Sequence, residues 1–393
     1  MAPVLFSVLK TKTNKKIALA ELNAPQTLNA LSLSMIELLL KQLLAWQHDD
    51  EIAMVILQGT GDKAFCAGGD VVSLYHALKI SKTDAESANS SEFKALKSTC
   101  SPSVIDDETI VDSLANEFFS KEYQLDQLIH EFTKPILVWG NGYIMGGGIG
   151  LFAGASHKVV TEKTLLAMPE VTIGLYPDVG ASWFLNKMPN NVGLFLGLTG
   201  AIFNAVDALT IGLADISINS AYKNEVIQNL TETSWQDDKA NFSLLDGVLA
   251  GFTQKSAAIF NSIESNIKPH QQLITQLTAF DNIADIYQAI LALETDNDWL
   301  QRAQAKLAKG SALSAMIIYH QFMVSKHFTL TQCFSSELNL SLRCCQYQEF
   351  SEGVRALLVD KDKKPRWAYN DIAHIPAELL TWFFSPIENL TSN

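Results

Sequence analysis

The sequence predicts an α/β fold: a mostly parallel sheet in the first part of the chain and a helical C-terminal region behind it. Two observations carry that prediction. Short apolar runs such as Met54-Val55-Ile56-Leu57 and Ile136–Trp139 are each followed by a glycine turn, a helical stretch and a further apolar run, the signature of βαβ units. Beyond about residue 220 strand signals fade, and residues 254–350 follow helical periodicity, with sets such as Leu273, Leu277 and Phe280. The expected division is an α/β core over 1–220 and a mostly helical region over 221–393.

The elements follow in order. Val4–Lys10 and Lys16–Leu22 alternate apolar and polar around Thr11–Lys15, which reads as a hairpin. Asn23-Ala24-Pro25 breaks it. Ser32 is placed to cap a helix from about Leu33 to Gln47, with Met35, Leu38, Leu39, Leu43 and Leu44 on one face. A buried strand at Met54–Leu57 leads to the glycine turn at 68–69 and a helix over Val71–Leu78. Residues 81–113 are rich in Ser, Thr, Asp and Lys and read as a polar surface insertion. A helix over about Leu114–Phe132, a strand at Ile136–Trp139, a helix opening at Gly147 and short strands at Lys158–Val160 and Leu165–Ala167 complete the core.

Composition narrows the function classes. The 393 residues are 48% hydrophobic and 18% charged, with a net charge of −13. An acidic chain with no Lys/Arg stripe is a poor nucleic-acid or anionic-membrane partner, because phosphates need a basic footprint. The 21 residues Pro135–Ala155 carry no charge, yet they hold seven glycines and a proline. They read as strand, turn and buried helix, not as a bilayer span. Five scattered cysteines and an N-terminus without a basic, apolar leader imply a reducing, cytoplasmic setting. No metal-ligand spacing occurs, so neither metal nor other cofactor is expected.

Chemistry concentrates in three segments. Phe65-Cys66-Ala67-Gly68-Gly69-Asp70 and Met145-Gly146-Gly147-Gly148 are turns in which backbone N–H groups can approach a ligand closely. Met168-Pro169-Glu170 through Tyr176-Pro177-Asp178 places two carboxylates eight residues apart among apolar neighbours, surroundings that raise a carboxyl pKa toward neutrality. Amides for an oxyanion and acids for proton transfer are the parts needed to attack an acyl carbonyl. Cys66 has no histidine near it in sequence, and His130 and His157 read as structural or surface residues.

The two glycine segments, with Asn23-Ala24-Pro25 and Leu28-Asn29-Ala30-Leu31, resemble the crotonase (enoyl-CoA hydratase/isomerase) superfamily. The resemblance implies a spiral of ββα repeats, an acyl-CoA substrate and a homo-oligomer. It puts the oxyanion amides on Gly69 and Gly147 and substrate contacts on Ala67, Gly68, Asp70 and Gly146. Of the two glutamates that hydratases use, one falls on Glu170 and the other on Gly150, which has no side chain. Ala167–Gly180, Leu198-Thr199-Gly200 and the run Phe350–Asp362 resemble instead the 3-hydroxyisobutyryl-CoA hydrolases. That likeness implies thioester hydrolysis by Glu170 and Asp178, with Glu122 lining the acyl pocket. A dienoyl-CoA isomerase, an enoyl-CoA hydratase, or a non-catalytic CoA- or RNA-binding protein on the same scaffold are the alternatives.

Overall fold

The computed structural model describes residues 2–85, 106–111 and 113–390. They form two compact units built from alternating stretches of chain. The first comprises 1–69, 124–167 and 202–271, the second 70–123, 168–201 and 272–393. The break expected near residue 220 falls inside the first unit's last segment. The reason is packing: Leu245, Leu249 and Phe252 of the helix Asp238–Phe260 share one core with Ile17, Met54, Ile56, Leu137 and Val159 of the sheet.

Two sheets organise the first unit. Strands β1 (Val4–Lys10), β2 (Lys16–Leu22), β3 (Ile52–Gly59), β5 (Ile136–Gly140), β7 (His157–Val160) and β10 (Ile216–Ser217) form one sheet in that order. The hairpin β1–β2 is antiparallel, from Val4 opposite Leu22 to Lys10 opposite Lys16, and every later pair is parallel. Strands β4 (Ala64–Cys66), β6 (Tyr143–Met145), β8 (Leu165–Ala167) and β9 (Phe203–Asn204) form the other. The chain thus deposits one strand in each sheet per pass, β3 then β4, β5 then β6, β7 then β8, which is the expected ββα spiral. β3 is buried along nearly its whole length, as an inner parallel strand must be, and this is why it reads as an unbroken apolar run. Ser32 caps the helix Leu33–Gln47 by accepting from the Met35 N–H, as its position predicts. The uncharged stretch 135–155 supplies β5, β6 and the helix Gly147–Ala153. Among the described residues no helix is long and apolar enough to cross a membrane.

The second unit is helical. Asp70 starts its first helix, Val71–Ala85, by accepting from the Ser73 N–H (3.1 Å) and hydroxyl (2.7 Å). The expected insertion at 81–113 is corrected at both ends. The helix runs on to Ala85, and the insertion's last residues are anchored, not a loose polar surface. Asp107–Val111 is a short helix whose Ile110 is fully buried, and Asp107 accepts from Arg343 Nη1 (2.6 Å) and Gln346 Nε2 (2.8 Å). The rest of the insertion lies outside the described residues.

The run Phe350–Asp362 enters the second unit's core through Phe350, Gly353, Val354 and Ala356, and its end, Asp360–Asp362, is exposed. The helix Gln348–Val354 continues into a π-helical turn, Arg355–Val359. Its Gly353 lies so close to Ile173 that any side chain there would overlap the Ile173 backbone. The C-terminal run therefore braces the 3-10 turn Glu170–Ile173 from behind.

In the first unit, a Cβ on Gly148 would overlap the carbonyl oxygen of Cys66. Gly148→Ala is expected to destabilise the protein by about 1–3 kcal/mol or more, since backbone, not a yielding side chain, is in the way. Urea denaturation checks this; an unchanged midpoint would show that the two glycine segments are not tightly apposed.

Candidate active site

The glycine segments meet within the first unit. β4 pairs with β6 in parallel, Cys66 against Ile144, so the turns that follow the two strands emerge side by side. Gly68 takes φ +110°, which side chains rarely adopt, and a Cβ on it would touch the Met145 carbonyl. Leu31 N–H donates to the Gly68 carbonyl (2.8 Å) and Ala67 N–H to the Leu28 carbonyl (3.0 Å), tying the segment to the Asn23–Leu31 motif. The bridge to Leu31 runs through the Gly68 carbonyl, not the Gly69 N–H. Gly146 N–H donates to the Ala167 carbonyl (3.3 Å), and Gly147 opens the helix Gly147–Ala153, where the first amides have no intrahelical acceptor. Gly150 is buried inside that helix.

The carboxylates meet within the second unit. Glu122 on the helix Leu114–His130, Glu170 on its 3-10 turn and Asp178 on the loop before Ala181–Phe184 are 2%, 4% and 5% exposed. Burial pushes the pKa of Glu122 well up, and the charges of Asp178 and Glu170 push it further. Glu170 is raised by burial and then by Asp178, with Lys306 pulling the other way. Asp178 is raised by burial to about 6, held back by the hydroxyl of Tyr123. Three buried acids, of which Asp178 raises the other two and Glu170 also raises Glu122, are arranged for proton exchange. Glu122 Oε1 and Glu170 Oε2 are buried and meet no hydrogen-bond donor, which few buried oxygens tolerate without a functional reason.

Around Asp178 the second unit supplies partners that the sequence reading did not single out. Tyr123 donates to Asp178 Oδ2 (2.6 Å) and lies 2.7 Å from Ser341 Oγ. Tyr176 lies 2.9 Å from Ser341 Oγ and donates to the Glu337 carbonyl (2.8 Å). The Glu337 carboxylate accepts from the Gly180 N–H (2.7 Å), the Ser182 N–H (2.9 Å) and the Ser182 hydroxyl. That grip falls on a strained turn: Val179 has φ +56°, a left-handed conformation rare for a β-branched residue, and Gly180 follows at +82°. Tyr176 stood inside a segment already quoted and Tyr123 next to Glu122, but nothing local marked them. Ser341 and Glu337 sit one helical turn apart on Leu330–Gln346, far along the chain.

The model of the enoyl-CoA hydratase/isomerase family matches residues 17–384. The chain belongs to this family. Among curated relatives, the mitochondrial 3-hydroxyisobutyryl-CoA hydrolase of Dictyostelium discoideum is 30% identical over 372 residues, 94% of this chain and 89% of that protein. The enzyme of the same name from Homo sapiens is 31% identical over 367 residues, covering 93% and 85%. The small ribosomal subunit protein mS47 of Neurospora crassa is 30% identical over 367 residues, covering 91% of this chain and 66% of that one. Among solved structures, a carnitinyl-CoA dehydratase from Mycobacterium thermoresistibile aligns with TM-score 0.79 at 27% identity over 99% and 98% of the two chains. An enoyl-CoA hydratase from Rhodobacter sphaeroides aligns with TM-score 0.75 at 26% identity over 97% of each.

Membership in the enoyl-CoA hydratase/isomerase family and the spiral fold are as the sequence led one to expect. Of the named site residues, Ala67, Gly68, Gly69, Gly146 and Gly147 are brought together in the first unit, and Glu122, Glu170 and Asp178 in the second. Asp70 belongs to the second unit, where its carboxylate caps a helix. His157 is buried against Asp246 (3.2 Å), and Cys66, Cys333, Cys344 and Cys345 are buried thiols outside any disulfide. Among the described residues no group of three His, Cys, Asp or Glu side chains is arranged to hold a metal ion.

Two predictions follow from this geometry. Glu337→Ala removes the acceptor of three buried donors and is expected to cost on the order of 3 kcal/mol, read by urea denaturation. The buried acids also set a pH dependence. Asp178, raised to about 6, and Glu337, raised by burial to about 8, bind protons in the folded state that the unfolded chain has released. Their contribution is complete below the unfolded carboxyl pKa. The Asp178 share is lost as pH climbs to about 6 and the Glu337 share as it climbs to about 8. Stability should therefore fall from pH 5 to pH 8, and fall less in Glu337→Gln; a stability that rises over this range would contradict the assignment.

Proposed function

We propose that this protein hydrolyses a short-chain hydroxyacyl-CoA thioester, with 3-hydroxyisobutyryl-CoA as the first candidate substrate. The observation that carries the reading is the cluster of Glu122, Glu170 and Asp178, buried together with raised pKa values and two unsatisfied oxygens. The names of the hydrolase relatives, matched over more than nine-tenths of this chain, supply the substrate class.

In this reading the amides of Gly69 and Gly147 receive the negative charge that develops on the thioester oxygen, with Ala67, Gly68, Asp70 and Gly146 shaping the approach of CoA. Glu170 delivers the attack, directly as a nucleophile giving a mixed anhydride or as the base for a water molecule. On the water route Asp178 takes the proton released and returns it to the departing thiolate. On the anhydride route a protonated Asp178 gives its proton to the thiolate and recovers it from the water that opens the anhydride. On either route acid and thiol are the products and no proton is gained or lost by the enzyme. Glu122, whose pKa is raised by burial and by its two acidic neighbours, donates to the substrate hydroxyl. The chemistry draws on no metal or other cofactor. The reading requires both sets of groups to act on one thioester.

Gly150 favours hydrolysis over hydration, because the second acid of a hydratase pair has no side chain there. The ribosomal name of one relative favours a scaffold role as the second reading, against which the −13 net charge weighs.

A thiol-release assay over short acyl-CoAs tests the proposal. The expected outcome is turnover of 3-hydroxyacyl thioesters, with kcat reduced at least about 100-fold in Glu170→Gln and Asp178→Asn. Single turnover in labelled water separates the two routes for Glu170: label in the enzyme's carboxylate requires the anhydride. Conversion of an enoyl- or dienoyl-CoA without thiol release, or CoA binding with no turnover, would overturn the hydrolase reading.

A further inference from the structure

The hydroxyls beside Asp178 have a proton count that changes with its ionisation. Four contacts run in line: Asp178 Oδ2 to Tyr123 (2.6 Å), Tyr123 to Ser341 (2.7 Å), Ser341 to Tyr176 (2.9 Å) and Tyr176 to the Glu337 carbonyl (2.8 Å). The two ends differ in kind. The Glu337 carbonyl can only accept, and Asp178 can only accept while it is ionised. The three members between them carry one proton each.

With Asp178 ionised, Tyr123 must donate to it, and the three hydroxyl protons cannot fill all four contacts, so one contact beyond Tyr123 goes without a proton. With Oδ2 protonated, Tyr123 turns round and the hydroxyls beyond it line up the same way: Asp178 donates to Tyr123, Tyr123 to Ser341, Ser341 to Tyr176 and Tyr176 to the carbonyl. Four protons then fill four contacts. No side chain need move, because a hydroxyl rotor reverses by rotation alone. Tyr123 and Tyr176 are buried (4% and 1% exposed) and Ser341 is fully so, so water offers no easy substitute for any link.

We propose that Tyr123, Ser341 and Tyr176 form a reversible hydroxyl relay that positions Asp178 and satisfies it both as carboxylate and as acid. This deepens, and rests on, the reading of Asp178 as the group that takes a proton and gives it back. Such a group must be comfortable in two states within one turnover, and a partner fixed as donor or as acceptor would trap it in one. All three are positioning residues, acting through Asp178.

The relay makes a signed forecast. Tyr123→Phe removes the charge-assisted bond to the carboxylate, so it penalises the ionised form. Ser341→Ala leaves that bond but strands the Tyr123 proton once Asp178 is protonated, so it penalises the acid form. The groups that also act on Asp178 are Glu122 on the helix of Tyr123, Glu170 on its 3-10 turn, Tyr176 on its own segment, and Glu337 and Cys344 on the helix of Ser341. All of them remain in both variants.

The experiment is an infrared titration of the buried carboxyl groups of the full chain, with Asp178 assigned by its absence in Asp178→Asn, run beside the pH profile of kcat/KM. The Asp178 midpoint should rise by about one pH unit or more in Tyr123→Phe and fall by about half a unit in Ser341→Ala, with Ser341→Thr restoring it. Shifts of the same sign, or no shift in either, overturn the relay. If Tyr123→Phe does not fold, Ser341→Ala decides alone: a lowered midpoint supports the relay, and an unmoved or raised one overturns it. Opposite shifts in a protein that releases no thiol would keep the relay and sink the hydrolase reading, whereas thiol release without them would do the reverse.

Discussion

The second unit is organised around the cost of keeping Glu122, Glu170 and Asp178 out of water together. Taking one ionised carboxyl from solvent is expensive, and three neighbours of one sign compound the cost. Among the described residues the cation acting on Glu170 is Lys306, which is itself partly buried and donates to the Gly200 carbonyl (2.6 Å). The unit therefore relies less on counter-charge than on protons and dipoles. Burial pushes the pKa of Glu122 and Glu170 well up, and Asp178 is moderated by one hydroxyl.

The position of these acids is then enforced mechanically. Asp178 precedes a turn that Val179 would not adopt by itself, a departure costing on the order of 1–3 kcal/mol. The Glu337 carboxylate offsets it by taking the amides of Gly180 and Ser182 and the Ser182 hydroxyl. Glu170 is fixed from the other side, because the backbone of Gly174 packs against Glu349 and that of Gly353 against Ile173, with no room for a side chain at either contact. One long helix, Leu330–Gln346, holds several of these restraints at once: Glu337 grips the turn, Ser341 joins the hydroxyl chain, and Arg343 ties Asp107 to the main chain at Ser385 and Pro386.

What could be read from the sequence was what local chemistry writes into it. The Ser32 cap, the N-terminal hairpin, the parallel strands as apolar runs and the glycine turns after β4 and β6 all depend on residues a few places apart. Glu170 and Asp178 were legible because they share one segment with apolar neighbours. Tyr123, Ser341, Tyr176 and Glu337 were not, because their bonds join positions 55 to 218 residues apart and no spacing rule reaches that far. The same limit explains the anchored end of the insertion. Asp107 and Ile110 sit in a polar stretch, and only the distant Arg343 and Gln346 reveal that they are held. It also explains the division of the chain, where the boundary near 220 followed composition while the units follow contacts.

Stability and chemistry pull this cluster in opposite directions. The fold is most comfortable with its acids protonated, whereas a base or nucleophile must spend part of its cycle ionised. A simple ion pair would ease the ionised state, but it would depress the pKa and make the proton hard to take up again. Hydroxyl partners avoid that choice, because an O–H both donates and accepts. A carboxyl group lined by tyrosine and serine can therefore ionise in a buried site without a permanent charge beside it. That among the described residues the hydrogen bonds to the side chains of Asp178 and Glu337 come from hydroxyls and backbone amides, not from Lys or Arg, is the physical sense of this arrangement.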